Sequence, residues 1–510
     1  MSTSTPNLTE QILHKDQQIA TLEAKLAWSQ LLVKKLEALL REQRIQQFGP
    51  KSEKLSDLQL ELLMEEPSVT AGEVEAESKR EAIKAKTART RKSHPGRNPL
   101  PAHLPRVTET MVCAPEACRC AACGGETVVI GHDESEQLAK EPAKYFVRVT
   151  RREKRACRAC AQGTVVAAPL PERIIEKSLA SDELIIDILV GKYCDHLPLY
   201  RQEAILEREA GVEISRSTLD DWVMTVGERL QPVTMAMRQE LLAAPYLQAD
   251  ETTVPVQMRD QRGSHHEAYF WQYGQPGGAT VFEFSLTRSG DVPRRFLGDY
   301  AGMLQTDGYQ VYDGIGGPEL VHLGCWAHAR RKFVDAVKVN PADKEAEAMV
   351  VRMDALFLID RSAREEGLSP DERLVFRQQN APEWTEAIHA ACWRLAPRVL
   401  PASTLGKAIT YTMRQWDKLQ RCLEYPLAEL SNNLAENSMR PVALGRKNWL
   451  HIGSEKAGPK VAAILSIVES CRRLRLPVRE YLAAVLPGLD RRTLPQVRQL
   501  TPTAWAAKRG

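Results

Sequence analysis

Residues 246–313 decide how this chain is read: PYLQADETTVPV from Pro245, YFWQYG at 269–274, TVFEFSLT at 280–287 and MLQTDGYQVYDG at 303–314. These four short runs are rich in β-branched and aromatic residues and are separated by Gly-, Pro- and Arg-containing turns. Such a pattern predicts consecutive strands, most simply two hairpins. Asp250 is expected to close the run Tyr246-Leu247-Gln248-Ala249, and Asp307 to close Met303-Leu304-Gln305-Thr306. An acid that follows an apolar strand stands where the strand leaves the core, desolvated on one side and reachable on the other. If the two strands are neighbours, both carboxylates emerge at one sheet edge. They then repel unless a cation lies between them, and Mg²⁺ accepts hard oxygen ligands of this kind. Ordinary strand-end turn aspartates fit the same pattern and stand as the competing reading.

A third acid lies far downstream. The segment Leu430-Ser431-Asn432-Asn433-Leu434-Ala435-Glu436 continues to Arg440 and Pro441. Its Asn residues suit a helix N-cap, which puts Glu436 in the first or second turn. The helix dipole and an i,i+4 pair with Arg440 would both support a purely structural Glu there. The following residues 442–451 include Arg446, Lys447 and Trp449. Cations beside the acid suit a phosphate-bearing substrate better than a buried core. Arg440, Arg446 and Lys447 are therefore expected phosphate contacts.

Four motifs together carry a family resemblance: LQADET at 247–252, QTDGY at 305–309, GCWAHARRKF at 324–333 and NNLAE at 432–436. In this order they resemble the DDE transposases of the insertion-sequence-sixty-six type, the TnpC-like proteins, through nearly the whole chain. The resemblance implies a ribonuclease-H-like α/β core, a helical insertion packed beside it, a zinc-binding segment and companion small proteins as partners.

Composition sets outer limits. A chain of 510 residues is too long for one core and should split into several domains. Hydrophobic content of 43% and charged content of 26% are ordinary for a soluble protein. A net charge of +3 makes any nucleic-acid surface a local one. No apolar run reaches membrane-spanning length and no secretory signal pattern opens the chain, so no membrane partner and a cytoplasmic location are expected, nucleoid-associated when bound to DNA. The 11 cysteines include two CxxC pairs, which in a reducing compartment favour metal over disulfides.

The resulting architecture is a multidomain α+β protein. Residues 1–48 carry heptad positions Ile12, Ile19, Leu26, Val33 and Leu40, with Leu8, Leu22 and Leu36 in the second register. That is about five heptads, enough for a homo-oligomerising coiled coil, although a single amphipathic helix has the same pattern. Residues 49–106 form a charged flexible linker in which Lys79 to Arg97 holds eight Lys/Arg against Glu81 alone, suited to loose phosphate contact. Residues 107–171 form the zinc-binding segment, where Cys120, Cys123, Cys157 and Cys160 are the expected ligands of one structural Zn²⁺. Cys113 or Cys118 could replace one of them.

Residues 172–244 are helical and helix-turn-helix-like, with Arg216, Ser217 and Thr218 opening a second helix as DNA contacts or as plain scaffold. Residues 245–340 form the first part of the core. Within them Cys325 and His328 are spaced like metal ligands but lack a second pair, so a supporting role is expected, with His328 orienting a carboxylate or simply packing. Residues 341–428 form the helical insertion, 429–475 the remainder of the core with Glu436, and 476–510 a Pro-punctuated basic tail of unread role.

The function that follows is Mg-dependent DNA cleavage and strand transfer of an insertion sequence. Asp250, Asp307 and Glu436 would hold two Mg²⁺ (or Mn²⁺) about 3.5–4 Å apart, acting on the element's terminal repeats and on target DNA. Two rivals remain: a non-catalytic DNA-binding regulator derived from a transposase, and a metal nuclease that cuts without joining.

Overall fold

The computed structural model describes residues 144–155, 166–258 and 265–509. The expected coiled coil, the linker and the four zinc-ligand cysteines lie outside the described residues. Residues 144–149, the described end of a unit spanning 80–149, carry no helix or strand. The rest belongs to the other unit, whose described part includes first a two-residue antiparallel ladder of β1 (Lys154–Arg155) and β2 (Val166–Ala167).

Its centre is a five-stranded mixed sheet of β3 (Tyr246–Gln257), β4 (His265–Gly274), β5 (Thr280–Ser285), β6 (Met303–Gln305) and β7 (Val321–Leu323), in the order β5-β4-β3-β6-β7. β3, β4 and β5 form an antiparallel meander, whereas β6 and β7 run parallel to β3. The two-hairpin expectation is corrected here. The 17 residues between β5 and β6 contain helix α4 (Asp291–Leu297), and a crossover of that length returns the chain parallel to its start. Asp250 is likewise no strand terminus: β3 continues seven residues beyond it, carried by Thr252, Thr253, Val254 and Val256 and paired with β4 throughout.

Alternation along the strands separates two cores. Leu247, Ala249 and Leu304 join a core shared with helices α1 (Asp182–Tyr193), α3 (Arg216–Ala243) and α12 (Ala457–Arg473). Tyr246, Met303 and Leu323 join a second core with α5 (Trp326–Val339), α6 (Lys344–Glu365), α8 (Pro382–Leu395), α9 (Thr404–Arg414) and α10 (Trp416–Arg421), while α7 (Pro370–Asn380) packs on α6 and α8 and buries Arg377 against Asp360. The sheet is thus the middle of three layers. On the first side, α3 and α12 approach so closely that a Cβ at Gly227 would stand 2.7 Å from the Lys460 carbonyl oxygen.

α12 also finishes the outer edge of the sheet. The Phe282 amide donates to Ser466 Oγ at 2.8 Å and the Thr280 amide to Ser470 Oγ at 2.9 Å. The two serines are one helical turn apart, matching the two-residue rise of outward amides along β5. Ahead of the sheet, α2 (Leu199–Ala210) ends at Gly211, whose φ of 63° reverses the chain into the Ser215 cap of α3. The last residues, expected as a tail, form α13 (Val478–Val485), α14 (Leu494–Arg498) and α15 (Pro502–Ala507). Tyr481, Leu482 and Val497 bury them in the first core, and Tyr481 hydrogen-bonds to the Leu500 carbonyl.

Candidate active site

Strand periodicity fixes which side chains share a face. With Tyr246 and Met303 in the second core, Gln248 and Asp250 lie on the same face of β3, and Gln305 and Asp307 follow on the same face of β6. Gln248 is in register with Gln305. Two residues further on, Asp250 is still in β3 while Asp307 has just left β6, so the two acids occupy neighbouring positions where one strand stops and the other goes on.

β3 has no β6 partner past Gln248, and α11 (Asn433–Trp449) takes the vacated edge. Arg446 Nη1 donates to the Thr253 carbonyl and at 3.2 Å to Thr253 Oγ1. The Ile452 amide donates to the Pro255 carbonyl at 2.9 Å, and the Gln257 amide to the Ile452 carbonyl at 2.9 Å. The C-terminal end of α11 is therefore fastened along β3, and its first turn, with Glu436, reaches back to the aspartates.

Carboxylates from segments 57 and 129 positions apart in sequence are thus brought to Asp250. Burial raises the Asp250 carboxyl well above the usual carboxylate range, and the charges of Glu436, Glu251 and Asp307 push it the same way. A single backbone hydrogen bond opposes them, the Glu251 amide to Asp250 Oδ1 at 2.9 Å. Asp307 Oδ1 accepts from the Tyr309 amide at 2.9 Å, and the Tyr411 hydroxyl donates to the Asp307 carbonyl.

Glu436 faces α5. Arg331 Nη2 donates to Glu436 Oε2 at 3.3 Å, and His328 Nε2 lies 3.5 Å from Oε1. Burial lowers the His328 pKa despite Glu436, so at neutral pH the imidazole is uncharged and this contact is not an ion pair. Cys325 is buried at the N-cap of α5, where burial pushes its thiol up to about 12, an inert packed thiol.

The donor set suits a divalent cation. Glu436 Oε1 is buried and accepts no hydrogen bond, and the like charges around Asp250 call for a positive partner. Hard carboxylate oxygens match Mg²⁺ or Mn²⁺. Among the described residues, no three His, Cys, Asp or Glu stand close enough to form a ready-made metal cage. Arg331 instead supplies positive charge at Glu436.

Several neighbours were not singled out from the sequence. Glu251 points to the opposite face of β3, where Arg288 and the Tyr312 hydroxyl (2.8 Å) pair with it. The Arg288 guanidinium also lies 4.0 Å over the Tyr309 ring. Lys332, one residue after Arg331, sits 4.6 Å over the Tyr411 ring. The basic run ARRKF was visible, but not which of its cations would turn toward Glu436.

The expected DNA contacts divide. Arg216 and Ser217 are exposed at the start of α3, while Thr218 Oγ1 hydrogen-bonds with the Ser215 cap at 3.0 Å. Lys447 is exposed and Arg440 half-buried, whereas Arg446 is engaged with β3 as described. No helix among the described residues is long and apolar enough to cross a membrane.

Comparison with known proteins agrees across the chain. Residues 177–460 match the family described as Transposase IS66 family, residues 117–161 the zinc-finger binding domain of transposase IS66, and residues 35–108 the Transposase C of IS166 homeodomain. The zinc-finger match contains Cys120, Cys123, Cys157 and Cys160, and also Cys118. The chain is 31% identical to uncharacterized protein y4hP of Sinorhizobium fredii (strain NBRC 101917 / NGR234), over 92% of this chain and 88% of that protein. It is similar to y4qI of the same strain (31%, covering 92% and 88%) and to y4jD (33%, covering 80% and 82%).

Proposed function

The chain belongs to the IS66 transposase family, and from that premise we propose that it cuts and joins DNA at a site built on Asp250, Asp307 and Glu436. The observation that carries this reading is the placement of acids from β3, the end of β6 and the first turn of α11 close enough that Asp307 and Glu436 both act on the buried Asp250. The order β5-β4-β3-β6-β7, a meander followed by two parallel strands, supports reading the sheet as a ribonuclease-H-like core.

Mg²⁺ or Mn²⁺, as one or two ions, would be held by these three carboxylates and would supply charge neutralisation at the reacting phosphate. Everything else falls to the chain. Asp250 must give up the proton that its surroundings favour before it can act as a ligand. Arg331 neutralises Glu436 until then and is close enough to turn to a phosphate oxygen. Water attacks the phosphorus at an element end and releases a 3′-hydroxyl. That hydroxyl attacks a phosphorus of target DNA and expels a target 3′-oxygen.

Arg216, Ser217, Thr218, Arg440 and Lys447 contact DNA, and one Zn²⁺ is bound by Cys120, Cys123, Cys157 and Cys160. The coiled coil pairs copies of the chain, and companion small proteins of the same element take part.

The test uses full-length protein with its own flanking DNA and Mg²⁺ or Mn²⁺, mapping nicked 3′ ends and looking for their covalent joining to a target duplex. Joined products are expected. Nicks without joining would favour a nuclease, and binding with neither would favour a DNA-binding regulator. Alanine at Asp250, Asp307 or Glu436 is expected to abolish both products while leaving DNA binding largely intact. Loss of binding together with activity would make these acids structural.

A further inference from the structure

We propose that Tyr246, Gln248 and Gln305 form a buried clamp that sets the distance of Glu436 from the two aspartates, and that they are positioning residues of the site. The proposal rests on the reading of Asp250, Asp307 and Glu436 as metal ligands.

Each glutamine stands two residues before an aspartate, so strand pleating puts it directly behind that acid on the same face. All three side chains are buried. The Tyr246 hydroxyl donates to Gln305 Oε1 and accepts from the Glu429 amide at 3.2 Å. Gln305 Nε2 donates to the carbonyls of Gly324 and Glu429, both at 2.8 Å. Gln248 Nε2 donates to the Ser431 carbonyl at 2.9 Å, to Gln305 Oε1 at 2.9 Å and to the Tyr246 hydroxyl at 3.0 Å.

The partners explain the purpose. Glu429 and Ser431 belong to the segment that turns into α11, which starts at Asn433 and carries Glu436 in its first turn. Gly324 immediately precedes Cys325, the cap of α5, which brings Arg331 and His328. One buried network therefore holds the strands of both aspartates, the start of the Glu436 helix and the start of the Arg331 helix. The Trp326 amide closes the circuit by donating to the Leu430 carbonyl at 2.9 Å.

An apolar side chain of similar size would fill the same space but specify no register. It would also remove the Gln305 donor from the Glu429 carbonyl and the Gln248 donor from the Ser431 carbonyl. Burial raises the Tyr246 phenol, so its hydroxyl keeps its proton and remains a donor.

The experiment measures Mn²⁺ binding to full-length protein, by the paramagnetic resonance signal of free Mn²⁺, with DNA cleavage followed in parallel. Four proteins are compared: wild type, E436A as the baseline without the site, Y246F and Q305M. Circular dichroism and thermal melts establish folding. The expected result is about tenfold weaker Mn²⁺ binding in Y246F and Q305M, the size seen when outer groups that orient metal ligands are removed. Their cleavage should be restored at raised Mn²⁺, while E436A stays inactive. Should Q305M fail to fold, Y246F, which deletes one oxygen, decides the matter. Wild-type Mn²⁺ affinity in folded Y246F overturns the clamp and leaves the metal reading standing. Wild-type binding no greater than that of E436A overturns the metal reading itself, and the clamp with it.

Discussion

Asp250 is the residue on which the site's acid–base behaviour turns. Its carboxyl is raised, first by burial and then by three neighbouring carboxylates, so the folded metal-free protein binds that proton more tightly than the unfolded chain does. The stability linked to it is full below the ordinary carboxylate pKa of about 4 and is lost as pH rises through the folded-state value. Without divalent cation, D250N should therefore melt higher than wild type at neutral pH, by about 2 °C or more, and the difference should shrink toward pH 4. Parallel melts from pH 4 to 8 check this, and a D250N protein less stable than wild type at pH 8 would contradict it. The same variant should neither nick nor join DNA. Exposed Arg216 calls for a different measurement. R216A should weaken DNA binding about equally across sequences and lower the slope of log affinity against log salt by about 1, if its role is phosphate contact.

At the scale of elements, what could be read in the sequence was local and what could not was pairing. The β-branched runs at 246–257 and 280–285 are strands as their composition suggests, and a helix carrying Glu436 in its first turn starts at Asn433, although the Asn432 side chain makes no capping hydrogen bond. The direction in which β6 joins β3 depends on α4 and on the space beneath it, and no run of three residues such as Met303–Gln305 encodes that. Asp250 looked terminal because an acid ends an apolar run. In fact β3 continues with one edge bare, and α11 fills that edge through Arg446. A phosphate contact expected from charge alone is thereby engaged with backbone. The glutamines behind the acids were in plain view, yet nothing local says that a buried amide is bonded 183 positions away. Close packing gives a direct test at this scale. G227A would press a methyl against the Lys460 backbone and should cost about 1–3 kcal/mol by forcing α3 from α12, read as a lowered denaturation midpoint.

Among the described residues of the larger unit, three layers and two cores separate the roles. The first core joins α2 and α3 to the sheet through α12 and is completed by α13–α15, so the last residues brace the fold instead of trailing from it. Truncation before α13 should expose Tyr481's pocket and produce insoluble protein, which expression of a chain ending at residue 476 would reveal. The second core belongs to α5, α6 and α8–α10 and leaves the acids at the boundary between the sheet and the helices above it.

The hydroxyls of Ser466 and Ser470 have a broader meaning. A bare outer strand is adhesive, because its unsatisfied amides will accept any extended chain that drifts past. Here the β5 amides of Thr280 and Phe282 are already taken by a helix of the same chain, so a foreign strand finds these two donors occupied. The S466A/S470A double variant, which bares both amides, should clump at high protein concentration where the unaltered chain does not.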